Sequence, residues 1–253
     1  MEELRQKFRE KYALVQTHTV RPFINTIDWS NRFIGIKGSR GVGKTTLLLQ
    51  YIRQHYKPGK EVLYASLDDF YFAENRLYDL AKAFYQKGGM FLALDEVHRY
   101  PNWGIELKKM YDDMPHLQVV FTGSSLLHIQ KAQADLSRRA VMYTMPGLSF
   151  REFVEYETGE HFNRLTLEEL LEQHEAAAME VYARIRPLAW FEDYLRFGYY
   201  PFYLDNRKAV SQKLEQVVQT ILEVDIPQFS QIALSHLHYL KKLLADTAVL
   251  MHT

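Results

Sequence analysis

Through residue 145, short apolar runs alternate with amphipathic stretches. Arg32–Lys37, Glu61–Leu67 and Met90–Leu94 are runs of five to seven residues bounded by breakers. Met90–Leu94 is wholly apolar, the pattern of a strand covered on both faces. His116–Thr122, with Leu117, Val119, Val120 and Phe121, predicts a fourth strand, and Ala140–Thr144 a fifth. Helical spacing fills the gaps. One helix starts at Thr46 and stops at Lys57-Pro58-Gly59. A second, over 74–87, carries Leu77, Leu80, Ala81 and Phe84 and closes on Gly88-Gly89. A third runs from Trp103 to about Met114, and a fourth starts at Ser125. The charged segment 1–19 predicts a helix whose stripe of Leu4, Phe8, Tyr12, Leu14 and Val15 packs on the domain edge. Strands that alternate with helices predict an α/β fold: a parallel five-stranded sheet flanked by helices.

After Pro146-Gly147 the pattern becomes wholly helical. Ser149–Phe153 begins one helix, and Thr166-Leu167-Glu168-Glu169 reads as a capping box opening another. Pro187 punctuates, and Leu188–Phe197 leads into Gly198-Tyr199-Tyr200-Pro201. Arg207–Val224 has apolar residues at 210, 214, 217, 218, 221 and 222, and residues 231–250 form a last amphipathic helix. The expected divisions are a lead-in at 1–30, a sheet domain at 31–146, an all-α lid at 147–230 and the start of a further module at 231–253.

Gly38-Ser39-Arg40-Gly41-Val42-Gly43-Lys44-Thr45-Thr46 lies between the first strand and the first interior helix. It matches G-x-x-x-x-G-K-[ST], a loop whose backbone amides cradle phosphate at a helix N-terminus. Lys44 is then placed for the β- and γ-phosphates and the Thr45 hydroxyl for Mg²⁺. Ligands of such sheets sit beyond the carboxyl ends of the strands. Asp68, Asp95-Glu96 and Thr122-Gly123-Ser124-Ser125 all fall at such ends. Asp95 closes an apolar strand and is the expected second metal ligand; Glu96 is the expected base for an attacking water. Thr122 and Ser124 are candidates to sense the γ-phosphate, although Ser124 serves equally as a helix N-cap. Arg138 and Arg139 read either as an arginine supplied to the γ-phosphate of the same or a neighbouring subunit, which would require self-association, or as a surface pair. His98, three after Asp95 at the strand mouth, reads as a surface histidine, with a phosphate-side role as the alternative. His236 and His238 are two apart on a predicted helix and so do not form a ligand pair. The aromatics at 194, 197, 199, 200, 202 and 203 read as core and lid packing.

Composition removes several alternatives. Lys plus Arg equals Asp plus Glu at 31 each, so bulk charge gives no reason to expect nucleic-acid coating. Without cysteine there is neither a disulfide framework nor thiolate-bound zinc. The charged N-terminus and the lack of a long apolar run point to a cytoplasmic protein with no membrane partner.

Together these residues resemble a prokaryotic, archaeal-ATPase-like family of AAA-type ATPases related to the STAND nucleotide switches. The resemblance covers about residues 20–250. It rests on Gly38–Thr46, Leu94-Asp95-Glu96-Val97-His98, Trp103, Thr122–Ser125, Leu136-Ser137-Arg138-Arg139, Leu148–Phe153 and Gly198–Pro201. It implies that the fourth strand sits between the loop strand and the Asp95 strand, that a helical lid follows, and that Lys44, Thr45, Asp95 and Glu96 act as above with ATP and Mg²⁺. Similar proteins have Gly between the Ser and Arg of Ser137-Arg138-Arg139, and often Gln at His98, so the choice between Arg138 and Arg139 stays open. Residues 232–253 resemble the first helix of a winged-helix module, or the approach to a nuclease-like domain. The expectation is therefore a longer protein with an unidentified protein partner, and with any nucleic-acid contact made beyond Thr253. The sequence supports three competing functions: a Mg²⁺-dependent ATPase that moves its lid, a slow-turnover ATP-dependent switch or scaffold, and a small-molecule kinase. The Asp-Glu pair disfavours the kinase, because a kinase activates a substrate hydroxyl and not water.

Overall fold

The computed structural model describes residues 1–123, 136, 138–225, 239, 242, 243 and 246. The expected helix from Ser125, together with Ser124, His236 and His238, lies outside them, as does nearly all of the module expected at 231–253. Helix α1 (Glu2–Leu14) is followed by a 3-10 turn, Pro22–Thr26, and then by β1 (Phe33–Lys37), α2 (Lys44–His55), β2 (Val62–Ser66), α3 (Leu77–Gln86), β3 (Phe91–Asp95), α4 (Trp103–Asp113), β4 (Gln118–Gly123) and β5 (Val141–Thr144). The helix expected over 74–87 is a single turn, Tyr71–Glu74, and then α3. Asn75 is extended between them, and its side-chain amide donates to the Tyr71 carbonyl, which closes the turn.

The five strands form one parallel sheet in the order β2-β3-β4-β1-β5, so β4 does sit between the loop strand and the Asp95 strand. Side chains alternate between two faces. Phe33, Leu63, Ala65, Leu92, Leu94, Val119 and Phe121 join α3, α4 and Leu4 in one core layer. Ile34, Ile36, Val62, Tyr64, Phe91, Ala93 and Val120 join α2 and Phe8 in the other. Trp29 stacks on Tyr51 at 3.5 Å and donates to the Ile24 carbonyl, packed against the α2-side layer.

The helical part contains α5 (Phe150–Thr158), α6 (Leu167–Arg184) and α7 (Val210–Thr220), with short turns from Pro187 to Leu204. Ser149 and Thr166 both form complete capping boxes, with Glu152 and Glu169. The amphipathic stretch 207–224 begins in a 3-10 turn, is α-helical in α7 and widens to π winding at 221–225. A third core gathers Leu148, Phe153, Val154, Tyr203 and Val210, with Tyr194, Phe197 and Trp190 against it. Fully buried Phe153 touches the rings of Tyr194, Phe197 and Tyr203. Phe153→Ala should destabilise this core by about 3–5 kcal/mol, read as an earlier urea transition of Trp190 fluorescence. An unchanged midpoint would show that the helical part does not depend on this cluster.

Candidate nucleotide site

Strand periodicity and register assemble the site. Asp95, Tyr64 and Thr122 share parity with the side chains of the α2-side layer, and Leu94 pairs with Phe121, so Asp95 and Thr122 come side by side. The Thr122 hydroxyl donates to Asp95 Oδ1, and the Tyr64 phenol donates to Asp95 Oδ2 at 2.8 Å. From the start of α2, Thr45 Oγ1 donates to the same Oδ2 at 2.6 Å. Asp95 is buried, held by three hydroxyls. Burial, and then the Asp95 carboxylate, push the Tyr64 phenol far up, so it stays a donor.

Lys44 is also buried. Its ammonium donates to the carbonyls of Gly38 and Ser39, both at 2.9 Å. Desolvation pushes its pKa down, while the charges of Glu96 and Asp95 pull it up. Gly43 is the N-cap of α2, with φ +95, and Gly41 has φ +82. These left-handed turns let the chain fold back over the helix N-terminus. Thr46 lies exposed in the first turn of α2, and Arg40 is half-buried beside Gly41.

Glu96 stands in the left-handed region at φ 52, uncommon for a residue with a side chain. Its backbone N–H donates to Thr122 Oγ1 at 3.3 Å, and its carboxylate Oε2 lies 3.4 Å from Nε2 of His98. The sharp turn after β3 ties the backbone to β4 and leaves the carboxylate partly exposed at the sheet mouth. His98, expected on the surface, is buried against Glu96. Thr122, a candidate for sensing the γ-phosphate, bridges Asp95 to the Glu96 backbone.

Arg139, read as either a γ-phosphate arginine or one of a surface pair, lies away from Gly38–Thr46. It pairs with Asp112 at 3.1 and 3.2 Å, at the end of α4 that leads toward β4. Residues just before a parallel strand lie at the sheet's amino end, and the loop lies at the carboxyl end. Arg139 is therefore not brought to its own chain's site, and Arg138 is exposed beside it.

Sequence reasoning missed four contributors. Tyr64 reads only as a strand residue until the register is known. Tyr200 and Phe202, their rings stacked at 5.1 Å, reach back from the helical part onto the phosphate loop, where both lie against Gly41. A Cβ on Gly41 would come within 2.8 Å of Phe202. Gly41→Ala should cost about 1–2 kcal/mol for the left-handed backbone alone and loosen this contact, seen as a lower urea midpoint. Stability equal to the wild type would show that the loop relaxes freely. Arg21 is the fourth.

The donor set suits Mg²⁺: a hydroxyl and a carboxylate are hard oxygen ligands, and Mg²⁺ takes one or two carboxylates plus substrate phosphates. Among the described residues no group of three or more His, Cys, Asp or Glu forms an all-protein cage. A cavity of about 720 Å³ lined by Arg5, Arg9, Lys60 and Lys87 lies away from these residues and shares none of them. No helix of the described residues is long and apolar enough to cross a membrane.

A family model described as an AAA domain matches residues 30–154, an interval that contains Gly38–Thr46, Asp95, Glu96 and Thr122. No curated protein matches the chain. Among solved structures, the Walker-type ATPase PABY2304 of Pyrococcus abyssi is 13% identical, with 90% of this chain and 73% of that one covered and a TM-score of 0.44. AMPPCP-bound DnaA from Aquifex aeolicus is 16% identical over 88% and 68% of the two chains, with a TM-score of 0.39. PCH-2 of C. elegans is 16% identical over 66% and 49%, with a TM-score of 0.36.

Proposed function

We propose, from the premise that this chain belongs to the AAA-type P-loop ATPases through residues 30–154, that it binds ATP with Mg²⁺ at Gly38–Thr46 and hydrolyses it. One observation carries the reading: buried Asp95 is hydrogen-bonded to Thr45, and Glu96 follows it at the mouth of the sheet. The loop amides and Lys44 bind and orient the phosphates. Thr45 and Asp95 would hold Mg²⁺, which spreads the negative charge of the phosphate oxygens when bound. Glu96 orients a water and takes its proton, with His98 fixing the carboxylate. Thr122 and Tyr64 keep Asp95 in place. Ser124 remains a proposed phosphate contact, and nucleotide state is proposed to reposition the lid through Tyr200 and Phe202.

A second reading is a switch that holds ATP with little turnover. The packing of Phe202 and Tyr200 on Gly41 favours it, since the helical part then rests directly on the loop that would hold the phosphates. Steady-state phosphate release with and without Mg²⁺ separates the two. Mg²⁺-dependent turnover supports the enzyme; tight ATP binding without turnover supports the switch. Transfer to a metabolite exceeding phosphate release would revive the kinase.

A further inference from the structure

Arg21 lies outside every motif, just before the 3-10 turn Pro22–Thr26, yet it is buried and all five of its N–H donors are engaged. Nε donates to Glu152 Oε1 at 2.8 Å and Nη2 to Glu152 Oε2 at 3.2 Å, a bidentate pair. Nη2 also donates to the Gly147 carbonyl at 2.8 Å. Nη1 donates to the carbonyls of Pro146 at 2.8 Å and Val42 at 3.0 Å. One guanidinium thus touches the phosphate loop, the joint after β5 and the first turn of lid helix α5.

Each partner has a distinct consequence. A trans peptide directs its C=O and its N–H to opposite sides. Holding the Val42 carbonyl therefore turns the Gly43 N–H the other way, among the amides the loop offers to phosphate. Glu152 is also the capping-box residue of α5: its Oε2 accepts from Ser149 N and Oγ, and its own N–H donates to Ser149 Oγ. Burial alone would raise the pKa of Glu152, but the hydrogen bonds from Arg21 and Ser149 outweigh it and hold the group charged. The joint is held independently, since Met145 N–H donates to the Lys37 carbonyl at 2.7 Å. A shift of α5 relative to the loop must change the geometry at Arg21, because no donor is left to compensate.

We infer that Arg21 is a positioning residue for nucleotide binding: it sets the orientation of the Val42–Gly43 peptide and, through Glu152, makes that orientation depend on the position of the lid helix. The inference rests on the ATP-binding reading above. Arg21 touches no reacting atom; it acts through backbone and through Glu152.

The test measures affinity for a fluorescent ATP analogue with Mg²⁺, together with steady-state kcat and KM, in wild type, Arg21→Lys, Glu152→Gln and the double variant. Lysine keeps the charge but lacks the planar fork, so it cannot satisfy four partners at once. Arg21→Lys should weaken binding and raise KM by about tenfold or more, with kcat at saturation falling less, as for a group that positions the ground state. Glu152→Gln, which keeps an amide oxygen for the Ser149 cap, should weaken binding severalfold. The double variant should fall short of the product of the single effects, because both act through one link. Nucleotide should also slow amide exchange across residues 148–158 in wild type and not in Arg21→Lys.

A purely structural arginine would lower the melting temperature and leave affinity within twofold at 25 °C; that result, with wild type binding normally, overturns this inference alone. If Arg21→Lys does not fold, Glu152→Gln decides: unchanged affinity overturns the inference and the severalfold loss supports it. A wild-type protein that binds no ATP overturns both this inference and the function on which it rests.

Discussion

Glu96→Gln is expected to bind ATP like the wild type and to release phosphate ~10²–10⁴ times more slowly, the usual contribution of a positioned base. At 1.36 kcal/mol for each factor of ten, that is about 3–5 kcal/mol of transition-state stabilisation. The substitution keeps the shape of the side chain and removes its basicity. The unusual backbone at φ 52 is tied down through the N–H to Thr122, so the loss should not unfold the turn. Single-turnover phosphate release beside equilibrium binding makes the measurement. Turnover within a few-fold of wild type would remove Glu96 from the chemistry and shift the balance toward a different water-activating group.

Lys44→Ala is expected to abolish stabilisation by nucleotide and to lower turnover by ~10²–10³ or more, since Lys44 is a buried cation whose ammonium lies within the phosphate loop. The wild type at a hundredfold excess of ATP over Kd should gain about 2.7 kcal/mol against unfolding, and the variant none. Without nucleotide the two should differ by only about 1–2 kcal/mol. The variant loses two hydrogen bonds, but it also escapes the cost of burying an ammonium. That cost sets a pH signature. The folded-state pKa of Lys44 lies below its ordinary value, so the cost is fully present below the depressed pKa. The wild type should therefore gain stability relative to the variant as pH climbs from that depressed pKa to the ordinary lysine value. Urea midpoints across the alkaline range, with and without ATP, check both. Undiminished stabilisation of the variant by ATP would place the nucleotide elsewhere.

Local pattern carried much of this protein. The strand runs, the loop of Gly38–Thr46, the helices on either side of β3 and the capping box at Thr166 are short-range features, set by steric and hydrogen-bonding preferences of neighbouring residues. They yielded a parallel α/β sheet with an apolar strand ending in Asp95-Glu96. Because parallel strands in such a sheet share one direction, chain order also brought Lys44, Thr45, Asp95 and Thr122 to the same end. The same argument, applied to Arg138 and Arg139, would have set them at the opposite end, since they precede a strand.

Tertiary structure decided what period and motif leave open. Whether Tyr64 meets Asp95 depends on the register between β2 and β3, and a shift of one residue would turn the phenol to the other face. His98 is buried because the turn at Glu96 bends the chain back on itself, and three residues of sequence do not reveal that bend. Arg21 shares no local pattern with Val42, Gly147 or Glu152; the distance between 21 and 152 along the chain is closed only where the helical part packs against the phosphate loop. Tyr200 and Phe202 reach the phosphate loop for the same reason. The sequence by itself determined a phosphate loop with its metal-ligand and water-directing candidates. The fold alone decided what holds Asp95 in place, which arginine is buried against the loop and where the lid rests, because those contacts join residues that no local preference connects.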